Sequence, residues 1–348
     1  MSRTKTTIRD VARESGLSVA SVSRALSGSR PVTPAVATLV DEVARRLGYR
    51  PDHVAQSLST GRTATVGLVL PDISSPFFPA LAGAIEKTLR MSGLTMLLMS
   101  AENDPEWEKK CVADLVARRI DGLLISPSHR FRSRPTIDDA MARIPVVQVD
   151  RYASTRAHRV VTDATAAIQL VLKHMTQQGY QHFAFVGAKS SASSAWARSR
   201  AYRRLIPSID PQGAERTVTG EFTVDFGQRS AEYIFARWPD VDAVACANDL
   251  IALGFIQAAI GLGRDVPGDV AVSGCDDTFF STVTHPTITS VVQPVRDIAR
   301  KAIDLLVGNE QINRPAVVEL MPELQVRTST VRHSGPATEF PLPEQWVL

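Results

Sequence analysis

The 348-residue sequence contains no run of 18 or more apolar residues, so it offers no segment able to cross a bilayer as a helix, and no membrane partner is expected. Its first residues, Met1 to Lys5, lead into a polar stretch rather than an apolar signal core, which sets the expectation of a cytoplasmic protein. Cysteine is scarce. Cys111, Cys246 and Cys275 are odd in number and far apart, which excludes a disulfide framework or a clustered zinc site and reads as buried free thiols. Catalytic signatures are missing too: there is no GxSxG elbow and no HExxH pair, and the seven histidines are scattered, with His53, His174 and His182 reading as surface or structural residues. GLGRDVPG at 261–268 is superficially like a dinucleotide loop, but it follows a helical pattern and leads into a strand, the wrong order for phosphate binding at a helix N-terminus. No catalytic residue, metal or cofactor is therefore expected.

What is present is unevenly distributed. The net charge of +3 is small, yet residues 1–62 hold ten lysines and arginines against five acids, while the rest of the chain holds 29 against 31. A small basic module joined to a nearly neutral larger one is expected where only the module must neutralise phosphates and release their counterions. A solvated charged surface would give the same numbers.

The basic segment reads as three short helices. Thr7 caps a helix from Ile8 to Ser15, with Asp10 reaching back as in a capping box, and Gly16 supplies the turn. Ser18 caps a second helix, Val19 to Leu26, whose Val22, Ala25 and Leu26 face Ile8, Val11 and Leu17, making a helix-turn-helix. A third begins at Pro34 behind Thr33, carries an apolar stripe at Val36, Leu39, Val40, Val43 and Leu47, and stops at Gly48. In such a module the second helix enters the major groove. Val19 and Ala20 suit a thymine methyl, Arg24 a guanine, and Ser21 and Ser23 phosphate oxygens, with Thr7 and Ser18 as further candidates. An ordinary three-helix bundle with an exposed arginine stays open on these residues alone.

Pro51 opens another short helical stretch ending at Gly61, with Val54, Ala55 and Leu58 on its apolar side. Isolated helices under about 12 residues are marginal in water, so this one needs something to pack against. The run from Thr7 through Leu58, including DVA at 10–12, SVSRAL at 21–26 and YRPDHVAQSL at 49–58, resembles the lactose-repressor (LacI/GalR) family. The resemblance implies that this hinge helix folds only on operator DNA beside its twin, with Leu58 as the wedge in the minor groove and Ala55 as the neighbouring contact. A linker residue packed on the core is the alternative for Leu58.

From Thr65 onward, apolar runs of four to six residues alternate with amphipathic segments, the rhythm of parallel sheets with crossover helices. Strands are expected at 66–70, 95–99, 122–125, 146–149, 183–186, 243–247 and 270–274, and helices at 78–90, 106–118, 164–178, 230–238 and 251–260. Ligands bind beyond the carboxyl ends of such strands. The residues found there are polar or aromatic: Asp72, Phe77 and Phe78; Asp150 and Arg151; Asn248 and Asp249; Asp276 and Asp277. They suit a polyhydroxyl or polar ring ligand, although each could equally cap a following helix.

The resemblance continues through PDISSPFF at 71–78, RRIDGLLI at 118–125, FVG at 185–187, ANDLIALG at 247–254 and SGCDDT at 273–278. It implies an N-terminal all-α helix-turn-helix module plus an α/β two-lobed core, periplasmic-binding-protein-like and built on parallel sheets. By correspondence Arg198, Asn248 and Asp276 make the main hydrogen bonds to an effector, Phe77, Phe78 and Phe222 form walls, and Asp72 and Asp150 add polar contacts. Arg200 competes with Arg198 for its place because the glycine usual three residues on is Ala201, and Trp196 either stacks in the pocket or belongs to the core. Val295, where several members carry an aromatic ring, and Ala299, in place of a helix glycine, are further departures. The expected layout is residues 1–49 as helix-turn-helix domain, 50–62 as hinge and linker, 63–332 as core, and 333–348 as a tail whose three prolines and lack of a leucine heptad point to a homodimer. The implied partners are pseudo-palindromic double-stranded operator DNA and a small-molecule effector, a sugar or related polar metabolite. A binding protein or an enzyme of the same two-lobed fold is the alternative.

Overall fold

The computed structural model describes residues 6–27, 32–49, 61–308 and 314–332 and divides the chain into two compact units, Met1–Thr63 and Ala64–Leu348. Ala55 and Leu58 of the expected hinge, and the tail from 333, lie outside the described residues.

The first unit contains α1 (Ile8–Ser15), α2 (Val19–Ser27) and α3 (Pro34–Arg46) around a core of Val11, Ala12, Val22, Val40, Val43 and Ala44. Asp10 accepts hydrogen bonds from the Thr7 N–H at 2.9 Å and the Thr7 hydroxyl at 2.7 Å, which lowers its pKa. Gly16 takes φ +69°, a left-handed conformation that lets the chain reverse between α1 and α2. Leu39 departs from the expected stripe: it is 40% exposed, because the buried face of α3 runs through Val40, Val43 and Ala44.

The second unit is two six-stranded sheets. The first runs β11-β5-β4-β3-β1-β2, all parallel, from β1 (Thr65–Leu70), β2 (Thr95–Ser100), β3 (Gly122–Ile125), β4 (Val146–Val149), β5 (His158–Thr162) and β11 (Val317–Leu320). The second runs β12-β10-β9-β8-β6-β7, from β6 (Phe183–Ala188), β7 (Thr217–Gly220), β8 (Ala243–Cys246), β9 (Ala271–Cys275), β10 (Thr289–Val292) and β12 (Glu323–Gln325), with only β12 antiparallel. Central strands such as β3, β4 and β8 are buried at every residue, as expected where helices cover both faces. The helices are α4 (Phe77–Met91), α5 (Pro105–Ala117), α6 (Arg134–Met141), α7 (Ala164–Gln177), α8 (Ser193–Leu205), α9 (Val224–Arg237), α10 (Asp249–Gly261), α11 (Phe279–Val283) and α12 (Val295–Val307).

Three connections join the lobes. β5 feeds α7, whose Ile168 and Leu172 lie in the second-lobe core; β10 feeds α12, whose Ile298 and Ile303 return to the first-lobe core; β11 feeds β12. All seven expected strands and all five expected helices are found within a few residues, except that α9 starts six residues earlier than expected, at Val224. Elements that escaped sequence reading include β5, β7, β10, α6, α8 and α12. The reason is plainest for α8, SSAWARSRAYRRL, where an arginine occupies the buried stripe formed by Ala195, Arg198, Ala201 and Tyr202.

The second lobe is held by a close helix pair. A Cβ on Gly254 of α10 would lie 1.9 Å from the Val224 carbonyl oxygen at the start of α9, and one on Gly227 would lie 2.2 Å from the Ile251 oxygen. Backbone cannot yield as a flexible side chain does, and overpacking a core costs about 1–3 kcal/mol. We expect Gly254→Ala to lower the thermal midpoint of the core by several degrees in a calorimetric scan.

Candidate functional site

The carboxyl ends of the strands face a cleft between the two lobes. Eight of the nine residues expected at the ligand site, Asp72, Phe77, Phe78, Asp150, Arg198, Phe222, Asn248 and Asp276, line one cavity of about 200 Å³ there. The first lobe supplies Asp72 after β1, Phe77 and Phe78 at the start of α4, and Asp150 after β4. The second supplies Arg198 from α8, Phe222 after β7, Asn248 after β8 and Asp276 after β9.

Charge inside the cleft is tightly packed. Arg198 is 7% exposed; its Nη1 donates to the Ala247 carbonyl at 2.7 Å and its Nη2 lies 3.4 Å from Asp276 Oδ1. Burial opposes the Arg198 charge, yet Cys275, Asp276 and Asp150 around it more than compensate and push its pKa up. Burial also drives the Asp276 carboxyl up to about 6, against the pull of Arg198. Asp150 is raised for the same reason, against Arg151 and Arg198, and sits in a left-handed backbone conformation, φ 60°. Asp249, beneath the cleft, is pushed up to about 7 by burial and by the charge of Asp276.

Two further residues belong to the site: Gln293, which sequence reading did not single out, and Arg151, which it placed at a strand end without giving it a specific role. Gln293, directly after β10, donates from Nε2 to Asp276 Oδ1 at 2.6 Å and accepts from the Thr162 hydroxyl at 2.8 Å, tying two of the lobe connections together. Its signal was hidden because β10 itself was not recognised. Arg151 is 7% exposed, with its guanidinium 5.2 Å from the Phe78 ring centroid in one lobe and 5.6 Å from Phe222 in the other, and its Nε has no hydrogen-bond partner. Its signal was available, since it follows Asp150 at a strand end.

Other residues fall differently. Trp196 does not line the cleft cavity. Its ring lies between Arg130 at 4.1 Å and Arg200 at 5.2 Å, against a neighbouring cavity of about 270 Å³. Arg200 is exposed, two residues along the helix from the buried Arg198 and on a different face. Asn248 caps α10, accepting from the Ile251 N–H at 2.9 Å, so its carbonyl is structural and its NH₂ group is what remains for a ligand. Val295 packs against the first-lobe core, and Ala299 and Ala201 are buried; Ala201 lines the neighbouring cavity of about 270 Å³.

On the first unit, α2 presents Val19, which is 43% exposed, beside the exposed Ala20 and Arg24, with Ser21 and Ser23 half-buried. Ser18 accepts from the Ser21 N–H at 3.1 Å, closing the first turn of α2. Thr7 lies at the exposed start of α1 with its one hydroxyl proton on Asp10. The three cysteines are buried free thiols, and no described helix is long and apolar enough to cross a membrane.

A helix-turn-helix unit carried on the same chain as a two-lobed core with a polar cleft defines a ligand-responsive DNA-binding regulator. Residues 7–52 match the profile described as bacterial regulatory proteins, lacI family, and residues 172–330 match the periplasmic binding protein-like domain. Catabolite control protein A of Priestia megaterium is 32% identical over 329 residues, covering 93% of this chain and 99% of that protein. The ribose operon repressor of Halalkalibacterium halodurans is 29% identical over 93% of this chain and 97% of its own length. Among solved structures, the lac repressor dimer bound to operator and an anti-inducer covers 94% of this chain and 100% of its own with a TM-score of 0.84 at 23% identity, a likeness of fold. The CelR–cellobiose complex covers 93% of this chain and 100% of its own with a TM-score of 0.69 at 27% identity. The chain belongs to the lactose-repressor family of bacterial transcriptional regulators.

The raised Asp276 pKa has a measurable consequence. Its folded value of about 6 lies above the ordinary 3.8, so between those values the native state holds a proton that the unfolded chain has released. Stability from this group therefore falls as pH rises through that window and is level above it. We expect Asp276→Asn, which cannot ionise, to gain thermal stability relative to the native chain across the window; melting curves taken at its two ends check this, and a constant gap would contradict it.

Proposed function

We propose that this regulator reads a pseudo-palindromic operator as a homodimer and that a sugar held between its lobes sets its affinity for DNA. One observation carries the ligand reading: two arginines, three carboxylates, three amides and three phenylalanine rings from both lobes converge on one small cavity. Carboxylates and amides take and give hydroxyl hydrogen bonds, and rings cover the apolar faces of a sugar. The cavity adjoins a second of about 270 Å³ that shares Asp150, Arg198 and Gln293, which gives room for a small sugar. The Nε of Arg151, 3.7 Å from Asp150 Oδ2 and without a hydrogen bond, adds a donor that a ligand oxygen would satisfy.

Residues 50–62 serve as hinge and linker in this reading, with Ala55 and Leu58 entering the minor groove when both hinges fold together; residues 63–332 form the core and 333–348 a tail. A ligand that bridges the lobes changes their angle and hence the spacing of the two hinges. Such coupling is reciprocal, so operator DNA and sugar must alter each other's affinity by the same factor. The dimer contact has two candidates on the core: the edge strand β2, with Leu97 and Leu98 exposed, and α11, with Phe279, Phe280 and Val283 exposed. An unpaired edge and clustered exposed apolar side chains both favour a covering partner. We assign the chain binding rather than turnover, in the cytoplasm.

Thermal shifts with D-ribose, other monosaccharides, cellobiose, nucleosides and polyols test the ligand class. We expect one sugar to stabilise the core and Arg198→Ala to abolish that shift. Deleting residues 1–62 should leave it intact while ending operator binding. On the DNA side, Arg24→Ala should weaken specific operator binding by roughly 1–3 kcal/mol and relax the preference at one base pair, read by competition gel shifts. A sugar panel with no shift would dismiss the ligand reading.

A further inference from the structure

Asp249 is 1% exposed and does not line the cleft cavity, yet it is the most heavily bonded carboxylate around it. One oxygen, Oδ2, accepts the Thr278 N–H at 2.6 Å and the Thr278 hydroxyl at 2.9 Å; the other, Oδ1, accepts the Ser290 hydroxyl at 2.6 Å. Ser290 Oγ in turn accepts the Asp277 N–H at 3.0 Å. The carboxylate thus holds both residues that follow Asp276, one directly and one through a hydroxyl relay.

The loop it holds is strained. Asp276 has φ 104° and Asp277 φ 47°, two consecutive residues in backbone conformations that L side chains rarely adopt, and such conformations persist only where surrounding contacts over-determine them. Their effect is to aim the Asp276 carboxylate at Arg198 and Gln293. Gly274, at the end of β9, makes room for this arrangement: a Cβ there would lie 2.2 Å from Asp249 Oδ1.

We infer that Asp249 is the positioning residue of the ligand cleft, a buried anchor that holds the 275–278 loop in its strained form so that Asp276 points at the ligand. Asp249 acts through Asp276 and touches no ligand itself. The glycine at 274 is part of the same device, because it leaves the carboxylate the space it occupies. This rests on the cleft being a sugar site only for the affinity it predicts; the state of the loop can be read without any ligand.

Asp249→Asn keeps the size of the side chain but turns one acceptor into an NH₂ group, which must face either the two Thr278 donors or the Ser290 hydroxyl. The first test is hydrogen exchange on the ligand-free, full-length protein. We expect the Thr278 and Asp277 amides to lose protection in Asp249→Asn and in Gly274→Ala, while the Val272 amide of β9, bonded to the Ser329 carbonyl, keeps it. Unchanged protection at Thr278 and Asp277 would overturn the inference. The second test is a double-mutant cycle on D-ribose affinity by calorimetry. Asp249→Asn should weaken binding tenfold or more in the native background and less than twofold when Asp276 is already Asn. An equal loss in both backgrounds would mean a general structural role and would also overturn it. If Asp249→Asn does not fold, Thr278→Val and Ser290→Ala carry the same cycle, with losses of several-fold expected in the native background. A native protein that binds no D-ribose sinks ribose as the ligand, and the exchange experiment then decides on Asp249 alone.

Discussion

Opposite charges removed from water between two lobes must neutralise one another, and the architecture of the core follows from meeting that requirement. Arg198 and Asp276 of the second lobe, and Asp150 and Arg151 of the first, are each buried or nearly so. Leaving one such charge unpaired in a low-dielectric interior costs several kcal/mol, and each lobe supplies its own pair, so the two lobes can close over the cleft without leaving a charge unmatched. The same need makes the cleft selective. A ligand displaces water and must replace its hydrogen bonds to groups already held at fixed angles, which polar ring compounds can do and apolar ones cannot.

The strand connections turn that local demand into a coupling between lobes. Gln293 is bonded both to Asp276 and to Thr162, so the end of β5 and the end of β10 are joined at the point where the chain passes between lobes. Arg151 adds a second bridge, its guanidinium lying between an aromatic ring of each lobe. A ligand that draws on Asp276, Arg151 or Gln293 therefore pulls on contacts that set the angle between lobes, and a few kcal/mol of differential binding is enough to shift such an equilibrium decisively.

The helix-turn-helix unit obeys simpler physics. Its core is six small or β-branched buried side chains, and its turns are set by Gly16 and by the Thr7 and Ser18 caps, all of which act within a few residues. The exposed side chains on α2 that we propose to meet bases, Val19, Ala20 and Arg24, lie outside this core. That separation explains why this unit could be read almost completely from its residues, Leu39 excepted.

Along the core, periodicity and residue type alone determined the alternation of strands and helices and the candidate residues at strand ends, because these depend on neighbours a few positions apart. Asp72, Phe77, Phe78, Asp150, Asn248 and Asp276 meet in one cavity for that reason, since the ends of parallel strands must gather on one edge of a sheet, whereas Arg198 and Phe222 were indicated by the family resemblance. Only the tertiary structure decided the rest. It placed Trp196 against an adjoining cavity that shares Asp150, Arg198 and Gln293 with the first, separated Arg198 from Arg200, revealed the helix whose buried face carries an arginine, and brought Gln293 and Asp249 to Asp276. Those outcomes depend on three connections that pair segments far apart in the chain, and on the burial of charge that exists only once both lobes are present, neither of which has a local pattern in the sequence.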